Sequence, residues 1–474
     1  MDGLVSAGAT QVGKAVSLSR GRARNLSRVA TRLSRLAFSA TIILIPFRMR
    51  LTLLARPLAP IYRDYTDLLF FASDIFLLAT LAFWIGGLVL APRRVKPGPL
   101  FLAIPIAGIT ILAIVSVLSS VDPTISVYQA GRLILLAGLY LYTVNENLTL
   151  NSMVLPMAIQ LGLQAMVGVV QVMQQHSAGL WFWQELDLDP AWSGVSIVWA
   201  EGVRSLRAYG LADHPNILGG CLAFGLLLIA AWYAGAETKW HTLVTSIFAL
   251  GAIGLLLTFS RSAWFAFTGG FLFGVVVLWK THRQQALLRW VGLAVAALIV
   301  LSPFVWHNAS YLGVRLNQSD AFNQVATEAR SLAERDSLTE AASQIFSEHP
   351  WLGIGVGALP QAEQIRYPDF GAFNAYYQPA HFVLLDVAAE TGIFGALFYM
   401  VVLVAPWLAL WSNRERLVFS PSLIGISSVL FAVMLVGFFD YYTWLLAPGR
   451  LWQWLIWGLW GTTYSTSIAG EHHA

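Results

Sequence analysis

The chain has little charge. Only 11% of its 474 residues are Asp, Glu, Lys or Arg, against about 25% in an ordinary soluble domain. It has one cysteine, Cys221, set inside an apolar run. That excludes an intramolecular disulfide and any metal site built from several cysteines. It also lacks the pattern of a cleavable signal peptide. Six arginines fall between Arg20 and Arg35, but no small-residue cleavage site follows the apolar segment after them. No internal repeat stands out, and no soluble domain is set off. The net charge of +4 carries no information about partners until it is placed on one side of a membrane. Nothing points to nucleic acid.

What fills the chain instead is apolar sequence. It is 57% hydrophobic, with a mean hydropathy of +0.65. Runs of about 20 apolar residues, enough to span a bilayer, recur along nearly the whole length. The expected fold is all-α and polytopic, with about twelve transmembrane helices and a large external loop that contains helices of its own. We place the spans at 36–55, 66–91, 99–118, 125–143, 152–172, 215–235, 240–259, 263–280, 290–307, 383–411, 420–440 and 449–465. The first is weakened by Arg48 and Arg50, which fall within it. This divides the chain into a basic cytoplasmic segment 1–35, nine helices over 36–307, an extracytoplasmic loop 308–382, and three helices over 383–474.

Lys and Arg concentrate on the cytoplasmic side of membrane proteins. The N-terminal arginines, Arg93/Arg94/Lys96, Lys280/Arg283/Arg289 and Arg414/Arg416 all share one side in a twelve-span chain. The loop near Asn145–Asn151 falls on that side without a Lys or Arg. Leu26, Val29, Leu33 and Leu36 recur at helical spacing among the arginines. They read as a basic amphipathic helix on an anionic leaflet, or equally as a basic tail that only sets topology. Arg48, Arg132 and Arg450 read as interfacial residues whose stems lie in the apolar layer.

The segment from Asn308 to Gly395 organises the rest. Between Phe322 and Glu348 its apolar residues keep one broad helical face, and Pro350 ends the pattern. A connection this long is seldom passive. Three helices then begin on the external side: one after RAYGLADHPN (Arg207–Asn216), one within TFSRSAW (Thr258–Trp264), one at PAH (Pro379–His381). Pro215 suits a first helical turn, and Ser260 or Ser262 suits a cap. Helix N-termini are partially positive. Arg207, Arg261 and His381 sit at or near them, and Arg335 lies in the loop. Arginines and helix N-termini together suit phosphate. Arg261 is confined to a turn too short to leave the membrane boundary, so it faces the protein interior or a wet cavity.

Glu390 lies nine residues after His381, on the opposite helix face, so it pairs with another helix. Leu385, Ala388, Gly392 and Gly395 share the histidine's face, and the small residues there favour close helix contact. GIGVG, which includes Gly353 and Gly355, reads as a tight turn returning the loop to the membrane; its backbone could also form an anion nest. The Asp187 and Asp189 pair in ELDLDP could hold a divalent cation, but so short a pattern arises easily by chance.

Taken in order, Arg207–Asn216, Thr258–Trp264, Glu348–Gly357 and His381–Gly395 resemble the motifs of the O-antigen ligase/polymerase superfamily of integral membrane enzymes. The resemblance covers most of 200–400. It implies a glycosyltransferase of the bacterial inner membrane with an extracytoplasmic site. The donor it implies is a glycan on a polyprenyl (undecaprenyl) diphosphate. The acceptor is a hydroxyl on a glycan, a glycolipid or a protein. His381 is then the general base, and Arg207, Arg261 and Arg335 bind the diphosphate. Glu390, Gly353 and Gly355 support the site. No cofactor or metal is implied. Phe382 follows the histidine where ligases often carry a polar residue, so the resemblance embraces ligase and polymerase alike. A flippase for an anionic lipid-linked glycan is the other reading. It requires polar residues through both leaflets and helices broken near the midplane.

Overall fold

The computed structural model describes residues 2–146, 148–235, 240–316, 325–368 and 377–469. Helix α1 (Asp2–Leu44) leads into strand β1 (Arg50–Leu54), the short α2 (Arg63–Thr66) and strand β2 (Leu68–Phe71). The two strands pair antiparallel. Helix α3 (Ala72–Leu90) then returns along α1. Ala72 N–H donates to the Met49 carbonyl at one end, and Ser27 Oγ donates to the Gly87 carbonyl at the other. Helices α4 (Leu100–Val115), α5 (Pro123–Asn145) and α6 (Leu150–Gln174) follow. A second antiparallel ribbon, β3 (Ile197–Ala200) with β4 (Val203–Leu206), precedes α7 (Pro215–Gly235). Next come α8 (His241–Leu257), α9 (Arg261–Lys280) and α10 (Gln284–His307).

The long polar segment holds α11 (Ala309–Leu316), α12 (Val325–Glu348) and α13 (Leu359–Arg366). The chain closes with α14 (Val383–Ser412), α15 (Pro421–Gly437), the short α16 (Tyr442–Leu445) and α17 (Ala447–Ala469). The protein is thus an all-α polytopic membrane protein. Among the described residues, eight helices are long and apolar enough to cross a membrane, and α8 and α15 are shorter apolar ones. Each expected span has a helix, counting α1 and α17.

Three features differ from the sequence reading. The first span does not run 36–55: its helix stops at Leu44. The chain turns there because Arg48 and Arg50 reach Asp213, at 2.9 and 2.6 Å, and Arg50 also reaches Asp64 at 2.6 Å. Nor do Arg48, Arg132 and Arg450 reach for the interface. Arg132 pairs with Asp74 at 2.9 Å, and Arg450 is 1% exposed, donating to Gln129 Oε1 and the Trp444 carbonyl. An arginine in an apolar layer finds an internal acceptor when the bundle offers one. The span 420–440 ends at Gly437, which leaves Asp440 and Tyr441 outside the helix. The loop near Asn145–Asn151 lacks basic residues of its own, but Glu146 collects Arg35 and Arg93.

Helix α7 is the axis of the bundle, with 94% of its apolar window buried. It is apolar on every side, as a fully enclosed helix must be. The segment between α12 and α13 threads back into the bundle. Residues Gly353–Ala358 are all buried, and they dock on a break in α14 at Gly392, where φ is +74°. There Ile354 N–H donates to the Ala389 carbonyl, Gly355 N–H to the Glu390 carbonyl, and Ile393 N–H to the Pro350 carbonyl. Backbone groups freed inside an apolar layer must find partners, and this loop supplies them. The apolar face of α12 covers it through Ala342 and Ile345, which share a buried cluster with Ile354 and Ala358. Residues 322–324, at the expected start of α12, lie outside the described residues.

Candidate active site

One cavity of about 940 Å³ collects Arg207, Arg261, Arg335 and His381. They come from the end of β4, the first residue of α9, the middle of α12, and the residues before α14. All four therefore meet at one end of the bundle.

The local folding of each follows from its sequence. Ser260 caps α9, its Oγ accepting the Ala263 N–H. Arg261 is thereby fixed as the first helical residue. Arg207 is held from both sides. Its Nε donates to the Thr258 carbonyl at 2.7 Å, and its Nη2 donates to Asn216 Oδ1 at 2.7 Å. Asn216 in turn donates through Nδ2 to Asp440 Oδ2 at 3.1 Å. Pro215 opens α7 beside it.

His381 meets the Tyr441 ring edge-on, with 5.0 Å between centroids. Its Nδ1 is buried without a hydrogen-bond partner among the described residues. Burial, and then the charge of Arg335, push its pKa down to about 3, so the ring is neutral at any ordinary pH. His214 lines the same cavity and is also pushed down to about 3, by burial and then by Arg207, Arg315 and His381. Its role is different. Nδ1 accepts the Asn216 N–H at 3.1 Å, which leaves Nε2 to donate to Ser196 Oγ at 2.9 Å. Both nitrogens are occupied, so His214 is a structural tie.

Sequence reasoning passed over several lining residues. Arg315 adds a fourth guanidinium from α11, and Asp440, Tyr441, Tyr65 and Asp64 also line the cavity. The signal for Asp440 and Tyr441 was the polar break FFDYY, folded into the span 420–440. Burial raises the Asp440 pKa, against the pull of Arg335 and the Asn216 hydrogen bond.

The supporting residues lie elsewhere. Glu390 is wholly buried within α14, where its Oε2 accepts from Trp444 Nε1 at 2.7 Å, which is the inter-helix partner its phase predicted. Gly353 and Gly355 are absent from the cavity wall; their N–H groups serve the loop and α14. Of the aspartate pair, Asp187 lines the cavity, whereas Asp189 turns back to accept the Ala191 N–H at 2.7 Å. Among the described residues no group of three His, Cys, Asp or Glu is placed to hold a metal ion.

Fold and cavity define a class: a multi-pass helical membrane protein with an arginine-lined chamber. Residues 246–400 match the family model described as O-antigen ligase, so that part of the chain is similar to the O-antigen ligase/polymerase superfamily. That match covers less than half of the chain but includes Arg261, Arg335 and His381. No curated protein matches the sequence. Among solved structures, a chain from "Structural coordination of polymerization and crosslinking by a peptidoglycan synthase complex" is similar at 15% identity and a TM-score of 0.37. The similarity covers 78% of this chain and 98% of that one. It is too slight to carry a structural conclusion.

Proposed function

We propose that the protein moves a glycan from a polyprenyl diphosphate carrier to an acceptor hydroxyl, on the extracytoplasmic face of the bacterial inner membrane. The observation that carries this reading is the meeting of Arg207, Arg261, Arg335 and His381 in one cavity. His381 takes the acceptor's proton as the acceptor oxygen bonds to the anomeric carbon. The bond from that carbon to the diphosphate oxygen breaks, and the diphosphate leaves with the electron pair. Its growing charge falls among the guanidiniums and the start of α9, which act before any rearrangement is needed. Stabilisation by arginine requires no metal in this scheme. Excess EDTA is expected to leave turnover intact, and abolition by EDTA would overturn that part.

The flippase alternative looked for a helix broken near the midplane, and α14 is broken. The break is filled by Pro350–Gly355 and does not line the cavity, which favours the transferase. The decisive assay uses purified protein in nanodiscs with a defined lipid-linked glycan. Arg261→Ala is expected to lower kcat/KM by about 10²–10³. Arg261→Lys keeps the charge but loses the fork, so it falls between alanine and wild type. Wild-type turnover in Arg261→Ala would move the diphosphate site elsewhere.

A further inference from the structure

From residue 22 onward, helix α1 has three faces, and the bundle uses one of them. At about 100° per residue, Ser27, Ala30, Ser34, Ala37, Phe38 and Thr41 share the first face, and all six are buried or half-buried. Ser27 Oγ donates to the Gly87 carbonyl of α3, and Ser34 Oγ donates to the Tyr142 hydroxyl of α5 at 3.1 Å. The Phe38 ring meets Tyr142 with 5.2 Å between centroids. Small residues let the helices approach this closely.

The other two faces are left outside. By the same rotation Arg24, Arg28, Arg32 and Arg35 form one stripe. Leu26, Val29, Leu33 and Leu36 form the other, and all eight side chains are exposed. Arg35 is held by Glu146, which also holds Arg93. Arg24, Arg28 and Arg32 have no carboxylate partner among the described residues. The sequence offers none nearby, since it has no Asp or Glu from Gly3 to Arg63. The three span about 12 Å of helix. They lie far from the cavity: Arg28 is sixteen residues, about 24 Å of helix, from Leu44, where the chain turns toward the Arg48 and Arg50 ion pairs with Asp213.

Three kinds of occupant could meet such a surface. A nucleic acid would use the guanidiniums and leave the leucines wet. A second copy of this chain would cover the leucines, but a self-complementary contact would bring the same arginines together, where like charges repel. A lipid with a phosphate at one end and hydrocarbon at the other uses both stripes at once.

We infer that this part of α1 is a binding site for anionic glycerophospholipid in the leaflet opposite the cavity. The phosphate sits on Arg24, Arg28 and Arg32, and the acyl chains lie along Leu33 and Leu36. The inference needs the helices to cross a membrane and does not depend on the transferase reading.

The test uses the full chain, purified in detergent and freed of lipid. It is titrated with dioleoyl phosphatidylglycerol and with dioleoyl phosphatidylcholine, and bound lipid is counted by native mass spectrometry. Phosphatidylglycerol is expected to bind about tenfold more tightly or better. Arg28→Gln with Arg32→Gln is expected to weaken it about 20-fold, roughly fivefold for each charge. Arg28→Lys with Arg32→Lys keeps the charge and is expected to keep most of the affinity. Arg414→Gln with Arg416→Gln removes as much charge from another exposed turn and is expected to change it less than about twofold. Glycerol 3-phosphate, the headgroup without its tails, is expected not to compete. The site is overturned by equal affinity for the two lipids, by wild-type binding in the Arg28/Arg32 glutamine variant, or by an equal loss in the Arg414/Arg416 variant. It is also overturned if glycerol 3-phosphate displaces the lipid. A dimer that Leu26→Ser with Leu33→Ser converts to monomer would overturn it too, by giving the face to a second copy.

Discussion

His381 is kept neutral by its surroundings, and that decides its pH behaviour. A free histidine titrates near about 6.5; burial and Arg335 bring this one down to about 3. As a base it is ready at every ordinary pH. The pH–rate profile is expected to show no histidine limb near 6.5, with the acid limb displaced toward pH 3. A phosphate-binding imidazolium would give the reverse, activity lost as pH rises. His381→Gln is expected to lose about 10²–10⁴ in kcat while still binding inorganic pyrophosphate. Largely preserved turnover would remove it from the mechanism. Glu363, in α13, is a second case. It is 1% exposed, with neither carboxyl oxygen hydrogen-bonded by a side chain among the described residues, and burial raises its pKa well above the usual carboxylate range. Its folded form stays protonated where the unfolded form has ionised. Stability is therefore unaffected below about 4.5 and declines as pH rises above that value. Glu363→Gln is expected to raise the thermal midpoint at pH 8 and leave it unchanged at pH 4. A lower midpoint at pH 8 would mean that the carboxylate has an ionic partner.

At the scale of elements, the loop between α12 and α13 and the break in α14 form one device. Gly392 and Gly353 both have positive φ, and a Cβ at Gly392 would run into the Trp351 carbonyl, one at Gly353 into the backbone of Glu390. Alanine at either position is strained in itself and has no room. Each substitution is expected to cost about 1–3 kcal/mol or more, read as a lower thermal midpoint and faster proteolysis between Glu348 and Leu359. Gly86→Ala and Gly292→Ala, which meet nothing within 4 Å, are the neutral controls. Equal behaviour of the two pairs would show that the loop does not depend on this contact. The turn between α8 and α9 was legible beforehand, because a serine before an arginine and an apolar run is a helix start. The break at Gly392 was not: α14 reads as one continuous apolar helix, and only the arriving loop explains where its backbone groups find partners.

For the whole molecule, the consequence of a twelve-helix path is topological. The proposed arrangement puts both ends of the chain in the cytoplasm and the cavity outside. Reporter fusions after Gln284 and after Gln344 are expected to report opposite compartments. If both report the same one, the site is on the wrong face for a lipid-linked donor that has already been flipped.

The sequence by itself determined the class and roughly where the apolar helices fall. Apolar run length is set by bilayer thickness, and helix starts are set by local capping chemistry, so both are written residue by residue. Arg207, Arg261 and His381 stood out because they lie at or near helix starts, whereas Arg335 was placed only by its position in the long loop. Tertiary structure alone decided what faces what. Arg48, Arg132 and Arg450 turn inward because carboxylates and carbonyls from distant helices wait there. Asp64, Tyr65, Asp440 and Tyr441 join the cavity because α2 and the end of α15 are carried to the same end of the bundle as α9 and α14. Such meetings depend on which helices pack together over hundreds of residues, and no local spacing encodes them.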